Sequence, residues 1–87
     1  MFVVLVYDVN QKRVNKVLKK CRQYLNWVQN SVLQGEISEA NLTKLKMELE
    51  RIINKEEDSI ILYNLRTTKY FFPEILGLQK GGEGNIL

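Results

Sequence analysis

Short apolar strands alternating with two amphipathic helices, in the order β-α-β(β)-α-β, predict a ferredoxin-like α+β sandwich. In that fold two helices pack on one face of an antiparallel sheet; here extra strand material follows at the C-terminal end. Three observations carry the expectation. A continuous apolar run opens the chain and stops at a carboxylate, Asp8. Two segments with helical spacing of apolar residues follow at about residues 11–25 and 38–55, each leading into strand-like sequence. The 87 residues contain no repeat, low-complexity tract or linker, which bounds the chain to one domain. At this size a single core holds a fold only marginally, so a homodimer is expected. The folded unit is placed at residues 1–78, with residues 79–87 as a C-terminal tail packing on a partner.

Phe2 to Tyr7 reads as a buried strand with Asp8 at its exit. Asn10 caps the first helix, whose apolar face is Val14, Val17, Leu18, Cys21 and Leu25. Residues 26–37 alternate well enough to be extended, as one bent strand or two short ones, and Gly35 permits a bulge near the end. Ser38 with Glu39 starts a second helix carrying Leu42, Leu45, Leu49, Ile52 and Ile53. The acidic loop at residues 54–58 leads into Ser59 to Leu65, whose unbroken apolar character suits a central strand covered on one side by helices. Beyond it, Lys69 to Phe72 is stopped by Pro73, and the chain ends on the apolar Ile86-Leu87.

Net charge is +3, yet residues 1–30 carry +5, residues 31–58 carry −3 and residues 59–87 carry +1, so the positive charge is concentrated on the first helix. There is no histidine. That excludes Ser-His-Asp and Cys-His nucleophilic machinery, HExxH metal sites and mixed Cys-His zinc sites, and leaves carboxylate, hydroxyl, amine and metal-activated water. Cys21 is the sole cysteine, read as core filler in a reduced, cytoplasmic protein. No apolar run approaches the roughly 20 residues of a membrane span, and the opening stretch has neither the basic leader nor the cleavage site of a signal peptide.

Asp8 is the only carboxylate in the first 35 residues, and Lys12, Arg13, Lys16, Lys19, Lys20 and Arg22 follow it. A potential cation ligand beside a cationic surface suits a phosphodiester substrate. The plainer alternatives are that a strand-terminal aspartate caps the next turn, and that the lysines form a solvated face. Against the latter, no acid interleaves with them, whereas an ordinary surface helix mixes signs for i,i+4 pairing. Tyr70-Phe71-Phe72 lacks the glycine-flanked aromatic signature of RNA-recognition modules and is read as core or interface. Gly81 to Gly84 neither follows a buried strand nor opens a helix, and so is no phosphate loop.

Taken together, Val4 to Val9, Arg13-Val14, the segment Trp27 to Ile37 with its Gln29-x-Ser31-Val32-x-x-Gly35-Glu36 pattern, and Asp58 to Tyr63 resemble the CRISPR-associated protein 2 family, to about Gly77. These are small ferredoxin-fold endonucleases of CRISPR adaptation. The resemblance implies a homodimer in which Asp8 meets its symmetry mate and the two hold Mg²⁺, which makes Asp8 both metal ligand and catalytic residue. It further implies metal-dependent cleavage of RNA or DNA, and a structural role in spacer acquisition, bridging the CRISPR adaptation integrase and holding duplex DNA. Double-stranded DNA or single-stranded RNA is the expected partner, met by Lys12, Arg13, Lys16, Lys19 and Lys20, with the tail on the other protomer or the integrase. Some members carry an arginine where this chain has Trp27 and an aromatic where it has Leu33. A non-catalytic DNA-binding adaptor and an RNA-cleaving toxin of related fold stand as the alternatives.

Overall fold

In a computed structural model, which describes residues 1–65 and Gly77, six elements follow one another: β1 (Phe2–Asp8), α1 (Gln11–Cys21), β2 (Asn26–Gln29), β3 (Val32–Glu36), α2 (Glu39–Ile52) and β4 (Ser59–Leu65). The strands form one antiparallel sheet in the order β2-β3-β1-β4, with both helices on one face: a ferredoxin-like sandwich. The expected strand at residues 69–72 and the tail at 79–87 lie outside the described residues.

Alternation along β1 sorts its side chains. Val3, Leu5 and Tyr7 point into the helix layer and are buried. They meet Val17 and Cys21 of α1, and Leu42, Leu45 and Leu49 of α2, whose helical spacing aims them at the sheet. Both caps form as read: the Asn10 side chain accepts from the Lys12 amide at 2.9 Å, and Ser38 Oγ from the Asn41 amide at 3.1 Å. Burial pushes the Cys21 thiol up to about 12, in keeping with a core filler.

Three expectations need correction. Helix α1 ends at Cys21 rather than Leu25, because the amides of Tyr24 and Leu25 both turn back onto the Cys21 carbonyl; the tight turn still delivers Leu25 to the core. Residues 26–37 form two strands, one of the two arrangements expected; what needs correction is the irregularity, which falls between Trp27 and Gln29 and not near Gly35. Asn30 at the connecting turn takes a φ of 44°, a left-handed conformation that asparagine tolerates. Strand β4, expected to be central, lies outside β1 in the described sheet; the helices cover it on one side, as expected, so its burial alternates.

Register defines the other face. Val4 pairs with Tyr63 and Gln34, and Val6 with Ile61 and Val32. Among the described residues no helix covers these side chains, and Ile61 and Tyr63 are 47% and 54% exposed. The unbroken apolar run in β4 therefore serves two surfaces: Ile60 and Leu62 pack on the core, while Ile61 and Tyr63 face outward. Among the described residues no helix is long and apolar enough to cross a membrane.

Candidate metal and nucleic-acid site around Asp8

Asp8 is the last residue of β1 and stands opposite Ser59, the first residue of β4. The two-residue period puts it on the open face with Val4 and Val6, and its side chain is exposed. Among the described residues it has no ion pair or side-chain hydrogen bond, and no group of three carboxylate, Cys or His side chains gathers to hold a metal. The preceding Tyr7 points the opposite way, into the core. There its hydroxyl donates to the Asn30 carbonyl at 3.3 Å, and burial, followed by Cys21, raises its pKa.

Immediately behind Asp8 lies a network that the sequence reading missed. The Asp58 carboxylate, with no exposed side-chain surface, accepts from Arg13 Nε at 2.6 Å and Nη2 at 3.1 Å, from the Asn10 amide at 2.9 Å and from the Asn54 amide at 2.8 Å. Glu57 takes a second share of Arg13 at 2.8 Å. The Arg13 fork, followed by the two amides, holds the Asp58 carboxyl well below the usual carboxylate range even though burial alone would raise it. Hydrogen bonds to Asp58 and then Glu57 hold the Arg13 guanidinium above its usual value. Reading residues 54–58 only as an acidic loop hid this pair. The usable signal was the single arginine in the first turn of a lysine helix, together with an acidic block, Glu56 to Asp58, whose one neighbouring lysine, Lys55, leaves it net negative.

Of the five basic residues assigned to nucleic acid, Arg13 is therefore already committed, to a buried carboxylate on one side and Glu57 on the other. Lys20 lies 3.8 Å from Glu48, which also accepts from the Tyr24 hydroxyl at 3.0 Å. Lys12, Lys16 and Lys19 are exposed and have no side-chain partner among the described residues. At i, i+4 and i+7 they form one stripe along α1. That stripe lies on the outer surface of the helix layer, whereas Asp8 belongs to the opposite face of the sheet. The structure thus separates by a layer what the sequence placed side by side. Trp27 and Leu33 are register partners on the helix face; Leu33 is fully buried, and the Trp27 ring lies beneath the Arg22 guanidinium at 5.3 Å.

The family described as "CRISPR associated protein Cas2" matches residues 1–71. The chain belongs to the Cas2 family. It is 59% identical to the CRISPR-associated endoribonuclease Cas2 of Dictyoglomus turgidum over the whole of both chains. It is 52% identical to the protein of the same name from Thermotoga maritima, over 99% of each. A solved Cas2 crystal structure superposes with a TM-score of 0.84 at 44% identity, covering 100% of this chain and 98% of that one. Streptococcus pyogenes Cas2 at pH 6.5 superposes at 0.78 and 36% identity, covering 88% and 100%. The Cas2 sheet leaves Asp8 as a carboxylate without a competing cation. That suits half of a Mg²⁺ site, since Mg²⁺ is commonly held by one or two carboxylates together with waters and phosphate oxygens.

Proposed function

We propose that this Cas2 chain is a Mg²⁺-dependent endonuclease that hydrolyses phosphodiester bonds of RNA as a cytoplasmic homodimer in CRISPR adaptation. The observation that carries this reading is the unpaired Asp8 carboxylate at the edge of an open apolar sheet face. Two protomers apposed through Val4, Val6, Ile61 and Tyr63 bury that face and bring two strand ends together about a two-fold axis. The Asp8 pair would then hold Mg²⁺, which supplies charge neutralisation at the phosphate and a nucleophile at neutral pH. The part played by the chain itself is to present the carboxylates at the strand ends and to keep cationic side chains off them. The endoribonuclease names of the relatives support RNA as the substrate class.

The test is cleavage of a labelled single-stranded RNA and of duplex DNA in Mg²⁺ by wild type and by Asp8→Asn, with light scattering on both. Asp8→Asn keeps the shape and removes the charge, so RNA cleavage should drop by orders of magnitude in an unaltered dimer. Unchanged Mg²⁺-dependent cleavage, or a monomer at micromolar concentration, refutes the reading. A second reading, a duplex-binding adaptor beside the integrase, is favoured by the lysine stripe lying on the other layer from Asp8. It predicts that Asp8→Asn retains duplex binding and spacer integration.

A further inference from the structure

The Asp58–Arg13 pair invites the question of what it does beyond joining two loops. Buried ion pairs contribute little net stability, because desolvation offsets much of the attraction, and apolar replacements are often as stable. Asp58 is nevertheless the one buried charged residue among the described residues, and four donors converge on it. Its position in the chain is specific. Asp58 precedes Ser59, the cross-strand partner of Asp8, and it accepts from the amide of Asn10, two residues beyond Asp8. A closed ring results: Asp8 to Asn10 by covalent bonds, Asn10 to Asp58 by a hydrogen bond, Asp58 to Ser59 by a covalent bond, and Ser59 to Asp8 across the ladder.

Asp8 itself has no side-chain partner among the described residues, so among them only the backbone that carries it constrains where its carboxylate stands. Fork geometry at Arg13 fixes the Asp58 carboxylate in orientation as well as in place, which a lysine point charge does not do. We propose that Asp58 and Arg13 are a positioning pair that holds the Asp8 carboxylate in the attitude a divalent cation requires. This deepens the reading of Asp8 as a metal ligand and rests on it. Neither residue touches the substrate; both act through the Asn10 amide.

The experiment compares Asn10→Pro with Asn10→Ala. Asn10 has a φ of −55°, within the range of proline, and the ring carbon then stands where the amide hydrogen met Asp58, so proline both removes that hydrogen bond and pushes the carboxylate away. Both variants lose the side-chain cap, but only proline loses the amide that closes the ring, and both keep Asp58 and Arg13. Manganese binding to the full-length protein is read by electron paramagnetic resonance, beside kcat and KM on a labelled single-stranded RNA. Supporting tertiary groups of this kind typically matter by about 10- to 100-fold in metal affinity or activity. Asn10→Pro should therefore bind Mn²⁺ at least about tenfold more weakly than Asn10→Ala, with kcat lowered similarly and KM within about twofold. Arg13→Gln should behave like Asn10→Pro, and Arg13→Lys should recover part of the loss. Equal Mn²⁺ affinity in the proline and alanine variants overturns the proposal, as does a raised KM at unchanged kcat in Arg13→Gln. If Asp8→Asn binds Mn²⁺ as well as wild type, the assignment of Asp8 as ligand fails and takes this inference with it. Loss of Mn²⁺ binding in Asp8→Asn with no effect of ring opening refutes the positioning role alone.

Discussion

Replacing Lys12, Lys16 and Lys19 together by glutamine should remove most of the salt dependence of duplex binding. Each lysine that meets a B-DNA phosphate contributes about −0.9 to the slope of log K against log salt. Counting the outward lysines Lys12, Lys16, Lys19 and Lys20 from sequence gives a slope of roughly −3.6 per protomer. In the structure Lys20 is already balanced by Glu48 at 3.8 Å, and Arg13 by Asp58 and Glu57. Three lysines remain, for a slope of about −2.7, equivalent to a loss of roughly 40-fold in affinity between about 50 and 200 mM salt. Fluorescence anisotropy with a labelled mixed-sequence duplex measures this directly. Two single variants sharpen it: Lys20→Gln should shift the slope by well under one contact, while Glu48→Gln, which keeps an acceptor for Tyr24, should free Lys20 and steepen it by up to about 0.9. A slope that survives the triple replacement, or a Lys20→Gln effect as large as that of Lys16→Gln, refutes the assignment of the stripe as the binding surface.

Leu5 is fully buried at the centre of the sheet, so Leu5→Ala should destabilise the protein by about 2–5 kcal/mol in urea unfolding, and a cost below about 1 kcal/mol would show that the core collapses around the cavity. The depressed carboxyl of Asp58 contributes stability that is fully present above its ordinary value of 3.8 and is lost as pH falls below it; acid titration of Asp58→Asn should lack that component. Cys21 behaves oppositely. Its thiol rises from an ordinary 9.0 to about 12, so its contribution is complete below pH 9 and is lost as pH climbs toward 12. The stability gap between wild type and Cys21→Ala should narrow over that range, and a constant gap would show that the thiol does not couple to folding.

Periodicity carried most of the fold into view. The alternation in β1 and the helical spacing of Val14, Val17, Leu18 and Cys21 are properties of residues a few positions apart, and local geometry acts on them directly. Where the reading failed, longer-range contacts decided. Leu25 fits the apolar stripe of α1 and does reach the core, but through a turn that closes onto Cys21, so spacing predicted its burial and misplaced the helix end. The run at Ile60, Ile61 and Leu62 reads as a central strand covered by helices on one side. One-sided cover is what forms, with Ile61 open, but β4 lies outside β1 in the described sheet, and strand order depends on pairing between distant segments and not on the run itself.

The site was legible as a list of residues but not as an arrangement. A carboxylate at a strand exit and a lysine helix that begins three residues later are adjacent in sequence, and adjacency suggested one surface. Strand alternation decides otherwise: the register that buries Tyr7 turns Asp8 to the open face, while the helix that follows packs on the other. Arg13 shows the same effect from the charge side, because its partner Asp58 lies 45 positions away and only the pairing of β1 with β4 brings them within reach. That separation is also what makes the two activities independently testable. If metal chemistry belongs to the open face and duplex binding to the helix layer, variants at Asp8 and at the lysine stripe should each abolish one activity and spare the other. Coupled loss of both in either variant would mean that one nucleic-acid strand spans the two faces, and the layer separation would then organise a single path instead of two sites.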